Sequence, residues 1–250
     1  MAAACIIPAR YGAKRFPGKP LANDTGKFLV QHVYENAARA GCFDRVIVAT
    51  DDERIAAAVA SFGGEARMTR ADHPSGTDRI AEVAEGLDAE TVVNVQGDEP
   101  DISPELLERL VELLAEHPEA DMATLAAQCR NMNEVLSPNV VKVVFDSRGR
   151  ALYFSRSTVP FDREAFLTGR SFPSEQYSKH LGVYAYRREF LLRFPEMPQT
   201  PLEKLESLEQ LRALEHGHTI AVAEVDYNGR GIDTPEDYAA FVAAWKARPA

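Results

Sequence analysis

Three cysteines, Cys5, Cys42 and Cys129, are scattered through 250 residues, odd in number and without a C-x-x-C pair. That pattern supports neither a disulfide framework nor a zinc site. No apolar run approaches the ~20 residues a bilayer-spanning helix needs, so no membrane partner is expected. The chain enters a strand pattern almost at once, which leaves no room for a signal peptide, and a reducing, cytoplasmic setting is expected. Positive charge is in deficit: 28 Lys and Arg stand against 38 Asp and Glu, a formal net charge of -10. That balance speaks against nucleic acid as a partner. The two common nucleotide loops are also missing. A P-loop needs G-x-x-x-x-G-K followed by Ser or Thr; here Gly18-Lys19 is followed by Pro20, which has no N–H to offer a phosphate. A dinucleotide fingerprint needs G-x-G-x-x-G after the first strand, and only Gly12 and Gly18 are present.

What is there begins with IIPARYGAKRFPGKP, Ile6 to Pro20. The apolar run Ala3 to Ile7 reads as a buried strand, with Pro8 expected to stop its pairing. Four cations follow, Arg10, Lys14, Arg15 and Lys19, and no acid appears before Asp24. A cationic loop at the C-terminal end of a first strand lies where open α/β sheets bind ligands, and Arg and Lys there suit a polyphosphate.

Hydrophobic residues make up 45% of the chain, enough for an ordinary core. Helical and strand periods then alternate. A helix is expected over Phe28–Ala40, a strand over Arg45–Thr50, a helix opened by Asp51-Asp52, and a short strand over Glu65–Thr69. RADHPSGTDR enters a helix near Gly76. There Ser75 and Thr77 either hold a nucleobase or ribose by hydrogen bonds or simply cap the helix. TVVNVQ, Thr91 to Gln96, reads as the most hydrophobic central strand and runs into Gly97-Asp98-Glu99-Pro100. A carboxylate at such a tip, close to phosphate oxygens, suits Mg²⁺, so Asp98 is the first metal candidate. Asp233, just before the helix that Thr234-Pro235 opens, is either a turn residue or the second.

Further along, Asn139–Phe145 and Ala151–Ser155 flank DSRGR, a hairpin signal with Asp146 and Gly149 in the turn. In an alternating chain such a hairpin marks an insertion or a subunit contact. Residues 164–178 read as a loop. Leu202, Leu205, Leu208, Leu211 and Leu214 predict one helix from 202 to 216 with a buried leucine stripe. Glu203, Glu206 and Glu209 then fall on a solvated face.

Taken together, IIPARYGAKRFPGKPL, VATDDERI, MTRADHPSGTDRIAEV, VVNVQGDEP, ALYFSR, KHLGVYAYR, LEQLRAL and GIDTPED resemble the 3-deoxy-manno-octulosonate cytidylyltransferases, over nearly the whole chain. The resemblance implies an α/β, Rossmann-like nucleotidyltransferase of glycosyltransferase-A type. That is a three-layer αβα arrangement with a mostly parallel central sheet and a β-hairpin dimerisation insertion. It implies one nucleotidyltransferase domain over 1–250, with 139–190 as the dimerisation and sugar-site insertion. It implies a Mg²⁺-dependent homodimer that transfers CMP from CTP to the anomeric hydroxyl of the sugar acid Kdo, releasing pyrophosphate and making CMP-Kdo for lipopolysaccharide. By resemblance, the triphosphate falls to Arg10, Arg15 and Lys19, and base and ribose to Thr69, Asp72, Ser75 and Arg79. The metal falls to Asp98 and Asp233. The sugar acid falls to Gln96, Arg156, His180, Tyr184, Glu209 and Gln210. Arg10, Lys19, Asp98 and Asp233 form the implied catalytic set. DYNGRGID and the stretch 168–178 depart from the common pattern. Alternatives are the 8-amino analogue of Kdo or another sugar acid as acceptor, a UTP-dependent sugar-1-phosphate enzyme, and a non-catalytic nucleotide-binding protein.

Overall fold

The computed structural model describes residues 2–12, 15–169, 173–229 and 231–247. Lys14, Arg230 and residues 170–172, on which part of the sequence reading falls, lie outside the described residues. In chain order the elements are β1 Ala3–Ala9, α1 Leu29–Arg39, β2 Arg45–Thr50, α2 Glu53–Ser61, β3 Glu65–Met68, α3 Gly76–Glu85, β4 Thr91–Asn94 and α4 Pro104–Glu116. Then come β5 Met122–Gln128, α5 Met132–Leu136, β6 Lys142–Phe145, β7 Ala151–Ser155, α6 Arg163–Thr168 and β8 Ser178–Arg187. The chain ends with α7 Arg188–Arg193, α8 Pro201–Glu206, α9 Gln210–Glu215, β9 Ile220–Glu224 and α10 Pro235–Lys246. The expected α/β class with mostly parallel pairing is what these elements form.

By contacts the chain divides into two compact units, one of Met1–Val111, Tyr186–Pro195 and Asn228–Ala250, the other of Glu112–Ala185 and Glu196–Tyr227. In the first, parallel strands run in the order β3-β2-β1-β4. The inner strand β1 is buried at every position and reads as a continuous apolar run, as a strand covered on both faces must. Cys5 within it is fully buried, and desolvation pushes its thiol well above the usual range, so it is an inert core residue.

Pro8 does not stop β1. It pairs in register with Ala49, and the strand runs to Ala9. The reason is local: β4 pairs with β1 only as far as Ile6, so beyond that point one side of β1 has no ladder to lose, and a missing N–H is tolerated there.

In the second unit β5 pairs parallel with β9, and β8 lies beside β5. The expected hairpin is present: β6 and β7 pair antiparallel, and β6 also pairs with β8. Asp146 closes its turn by accepting from the N–H groups of Arg148 and Arg150, both at 2.9 Å.

The single helix expected over 202–216 is two helices, α8 and α9. Ser207 between them has φ 53°, ψ 49°, the described residues' one non-glycine position in the left-handed region. The break rotates the leucine stripe out of phase: Leu211 is fully buried while Leu205 is 82% exposed. Glu203, expected on a solvated face, is buried, and its carboxylate takes Arg212 Nε at 2.9 Å and Nη2 at 2.5 Å.

Candidate active site

The cationic loop is set by packing before it is set by charge. Gly18 adopts φ +72° ahead of a 3-10 turn over Lys19–Leu21, and its N–H donates to Tyr11 O at 2.9 Å. The Tyr11 ring lies against Gly18 on one side, 3.0 Å from where a Cβ would stand. The Arg54 guanidinium lies over the same ring, 3.5 Å from its centroid. Phe16 is packed in a cluster with Leu29, Ile232, Tyr238 and Phe241. That cluster ties the loop to α10, and so to the residue just ahead of α10's Thr234 cap, Asp233.

The result is a cleft of about 410 Å³ within the first unit, beyond the C-terminal ends of β1 and β4. Arg10, Arg15 and Lys19 line one part, Ser75, Gly76 and Arg79 another, and Gln96, Gly97, Asp98 and Asp233 the rest. Gly97 lies close against β1: a Cβ there would stand 3.1 Å from Pro8 O, a tight contact with backbone. Lys19 is buried, and its Nζ donates to Asp98 Oδ2 at 2.5 Å and to Ile232 O at 2.5 Å. The same Nζ is 3.8 Å from Asp233 Oδ1, which Arg15 Nη2 also reaches at 2.9 Å. Ile232 N–H donates to Asp98 O at 2.9 Å, so backbone pairing holds the two aspartate segments side by side.

Eight of the sequence-derived residues thus line one cleft. Two proposed for base and ribose do not line it. Thr69 Oγ1 accepts from Arg79 Nη1, and the Asp72 side chain is 80% exposed, 3.9 Å from Arg70. Arg79 is buried and also pairs with Asp51 Oδ2 at 3.3 Å. Ser75 is the α3 cap expected of it, accepting from Asp78 N–H at 3.2 Å, and it faces the cleft as well. Sequence reasoning missed His73, whose ring lines the cleft with only 3% of its side chain exposed and is bound to Glu82 Oε2. Its neighbour Pro74 and the helix start were the available signal.

Among the described residues no group of three or more His, Cys, Asp or Glu side chains gathers as a metal site. What the cleft offers is a pair of carboxylates facing one ammonium.

Residues 4–220 match the family described as Cytidylyltransferase. A 3-deoxy-manno-octulosonate cytidylyltransferase of Syntrophotalea carbinolica is 54% identical over 239 residues, 95% of this chain and 96% of that one. The chain belongs to the 3-deoxy-manno-octulosonate cytidylyltransferase family. The family member of Syntrophobacter fumaroxidans is 55% identical over 95% of this chain and 94% of its own. A solved structure of CMP:2-keto-3-deoxy-manno-octonic acid synthetase complexed with CTP superposes with a TM-score of 0.91. It is 43% identical, over 98% of this chain and 99% of that one.

The remaining residues that the sequence resemblance assigns to the sugar acid lie in the second unit. Gln210 is buried, and its Nε2 has no hydrogen-bond partner. Glu209 is half-buried at the start of α9. His180 is half-buried as a residue, but its ring is enclosed by Phe154 and Tyr184, with centroids at 5.1 and 5.2 Å. Desolvation there pushes its pKa down to about 3, so the ring is neutral at pH 7. Thr124 Oγ1 sits 3.0 Å from His180 Nε2 and 2.7 Å from Val183 O. The hydroxyl has one proton, and the carbonyl can only accept it, so Nε2–H donates to Oγ1 and Nδ1 is left as an acceptor. His180 is therefore no cationic partner for a sugar carboxylate. Arg156 is the cation in this set, and it donates to three backbone carbonyls.

Proposed function

We propose that this chain transfers CMP from CTP to the anomeric hydroxyl of Kdo, releasing pyrophosphate. The observation that carries the reading is the gathering of Arg10, Arg15 and Lys19 with Asp98 and Asp233 in one cleft. The anomeric hydroxyl loses its proton to water as its oxygen forms a bond to the α-phosphorus, and the bond to the bridging oxygen breaks in line, the electron pair leaving with pyrophosphate. Little covalent work falls to the protein, so rate comes from positioning and charge. Arg10, Arg15 and Lys19 hold the β- and γ-phosphates and stabilise the leaving pyrophosphate.

Asp98 and Asp233 would hold Mg²⁺. Oxygen donors of this kind suit it, and both carboxylates already face a single cationic nitrogen, Lys19 Nζ. Triphosphate oxygens that draw Arg15 and Lys19 to themselves leave the two aspartates without counter-charges, the condition under which a divalent cation binds them. Mg²⁺ held there supplies neutralisation of phosphate charge. Homodimer formation and a cytoplasmic setting belong to the same proposal. Leu152 on the hairpin and Phe161, Phe166 and Leu167 in the same unit are each more than 60% exposed, as a subunit contact would leave them in a single chain. No helix of the described residues is long and apolar enough to cross a membrane.

The test is a substrate panel read by pyrophosphate release: CTP or UTP with Kdo, its 8-amino analogue or a sialic acid, with and without Mg²⁺. Turnover with CTP and Kdo, and its loss without Mg²⁺, is the expected result. CTP binding by calorimetry with no turnover on any acceptor would overturn it.

A further inference from the structure

Glu206 is the last residue of α8 and holds Arg156 at two points. Its Oε2 accepts from Arg156 N–H at 2.9 Å, and its own carbonyl accepts from Arg156 Nε at 2.7 Å. The other oxygen of the carboxylate, Oε1, is held in turn by Ser155 Oγ at 2.7 Å and Tyr153 OH at 3.3 Å, so the acceptor is fixed by β7 itself. Burial works to raise the Glu206 pKa, but these donors outweigh it and keep the group ionised. The Arg156 guanidinium goes on to Pro138 O at 2.9 Å and Ser207 O at 3.3 Å. Arg156 O in turn takes Lys142 Nζ at 2.9 Å, from a fully buried ammonium that also binds Ser137 O and Val140 O.

Each contact has a physical reason. The last carbonyls of α8 lack partners inside the helix, and an arginine is a good donor to them. Ser207, in the left-handed region, presents its carbonyl to that arginine. A guanidinium has five N–H donors. Three are spent on carbonyls, and the two that remain match what a carboxylate takes.

We propose that Glu206 is a positioning residue: its carboxylate pins the Arg156 main-chain N–H to the end of α8, and so sets the point from which the guanidinium reaches out with its two remaining donors to receive the carboxylate of the sugar acid. The proposal rests on the reading of Arg156 as a sugar-acid contact, and it assigns a role to a glutamate that the sequence pattern places on a solvated face.

Steady-state kinetics on Glu206→Ala, Glu206→Gln, Arg156→Ala and the Arg156→Ala/Glu206→Ala double variant test it, with CTP, Kdo and Mg²⁺. Glu206→Ala is expected to raise KM for Kdo about tenfold, the scale of one lost bond to a charged group, with KM for CTP unchanged. Glu206→Gln keeps an acceptor and should recover most of the loss. In the double variant KM for Kdo should be no worse than in Arg156→Ala alone, because Glu206 acts through Arg156. An unchanged KM for Kdo in Glu206→Ala, or additive effects in the double variant, overturns the proposal while the sugar-contact reading stands. A wild-type KM for Kdo in Arg156→Ala overturns both and places the fault with Arg156. Where Glu206→Ala does not fold, Glu206→Asp makes the same comparison. It withdraws the oxygen by one methylene and keeps the charge, and an unchanged KM for Kdo in it is equally fatal.

Discussion

Lys19 Nζ stands 2.5 Å from Asp98 Oδ2 and 3.8 Å from Asp233 Oδ1. One buried ammonium thus draws together two carboxylates that are far apart in sequence. If those carboxylates serve phosphate chemistry, Asp98→Asn should lower kcat by about a thousandfold or more, since a preorganised charge is lost where charge develops. The melting temperature should hold, because the amide side chain keeps the size of the carboxylate and an acceptor for Lys19. Lys19→Ala should instead raise KM for CTP with KM for Kdo little changed. Near-normal CMP-Kdo formation by Asp98→Asn would remove the metal assignment, and equal effects of Lys19→Ala on both constants would remove the phosphate assignment.

The buried pair Glu203–Arg212 predicts a stability effect with no kinetic signature of its own. Both side chains are nearly fully buried, 5% and 7% exposed, and the arginine binds the carboxylate through two nitrogens. Removing one partner leaves an uncompensated charge, which costs about 3–5 kcal/mol. Arg212→Ala should therefore lower the urea midpoint sharply. The double variant Glu203→Leu/Arg212→Leu should recover much of the loss, since it buries no lone charge. A double variant as unstable as Arg212→Ala would mean that the cost lies in packing or in the lost bond from Thr200 N–H to Glu203, not in a lone buried charge.

How much of the fold and the cleft is legible in the sequence depends on the range of each signal. The strand Arg45–Thr50 can be read to the residue, because a β-branched run bounded by polar residues is a local statement. The break at Ser207 cannot: nothing in LEKLESLEQLRALE forbids a continuous helix, and the left-handed turn is held by Arg156, far away in sequence. Glu203 and Glu206 read as a solvated face for the same reason. Their partners Arg212, Arg156, Ser155 and Tyr153 belong to other elements. Pro8 reads as a stop by its missing N–H, while the length of the neighbouring β4 decides whether that N–H is needed. The cleft residues are legible in part from position, as polar residues following β1 and β4. Asp233 reads as a second metal candidate only by its place ahead of a helix, and the packing of Phe16 against Tyr238, with ring centroids 5.6 Å apart, is what brings its segment to the loop.

Gly18 gives a prediction that joins backbone to ligand. At φ +72° a side chain costs about 1–2 kcal/mol of strain, and a methyl there would press on Tyr11 at 3.0 Å. Gly18→Ala should lower the melting temperature and also raise KM for CTP, because Tyr11 must move and Arg10 follows it. Gly26 is the control. Its φ is +86° with nothing within 4 Å of a Cβ, so Gly26→Ala should show the strain without the change in KM. Equal KM for CTP in both variants would separate the Tyr11 stack from nucleotide binding.

His180 predicts an acid sensitivity whose sign follows from its surroundings. Its pKa falls from 6.5 to about 3 because burial among Phe154, Tyr184 and Thr124 disfavours the charged ring. Below pH 6.5 the unfolded chain takes up a proton at this site and the folded chain does not. The stabilisation is therefore complete above that pH and is lost as pH falls, by at most about 1.4 kcal/mol per pH unit. Carboxylates held low, such as Glu134 and Glu206, act in the same direction, but only as pH drops below their ordinary value of 4.5. The window between pH 6.5 and 4.5 thus separates His180 from them. Urea unfolding at pH 7 and pH 5 should show wild type losing up to about 2 kcal/mol, and His180→Gln losing distinctly less. The glutamine keeps an amide donor for Thr124 but cannot titrate. If both proteins lose the same stability between those two pH values, the ring of His180 does not carry the acid response.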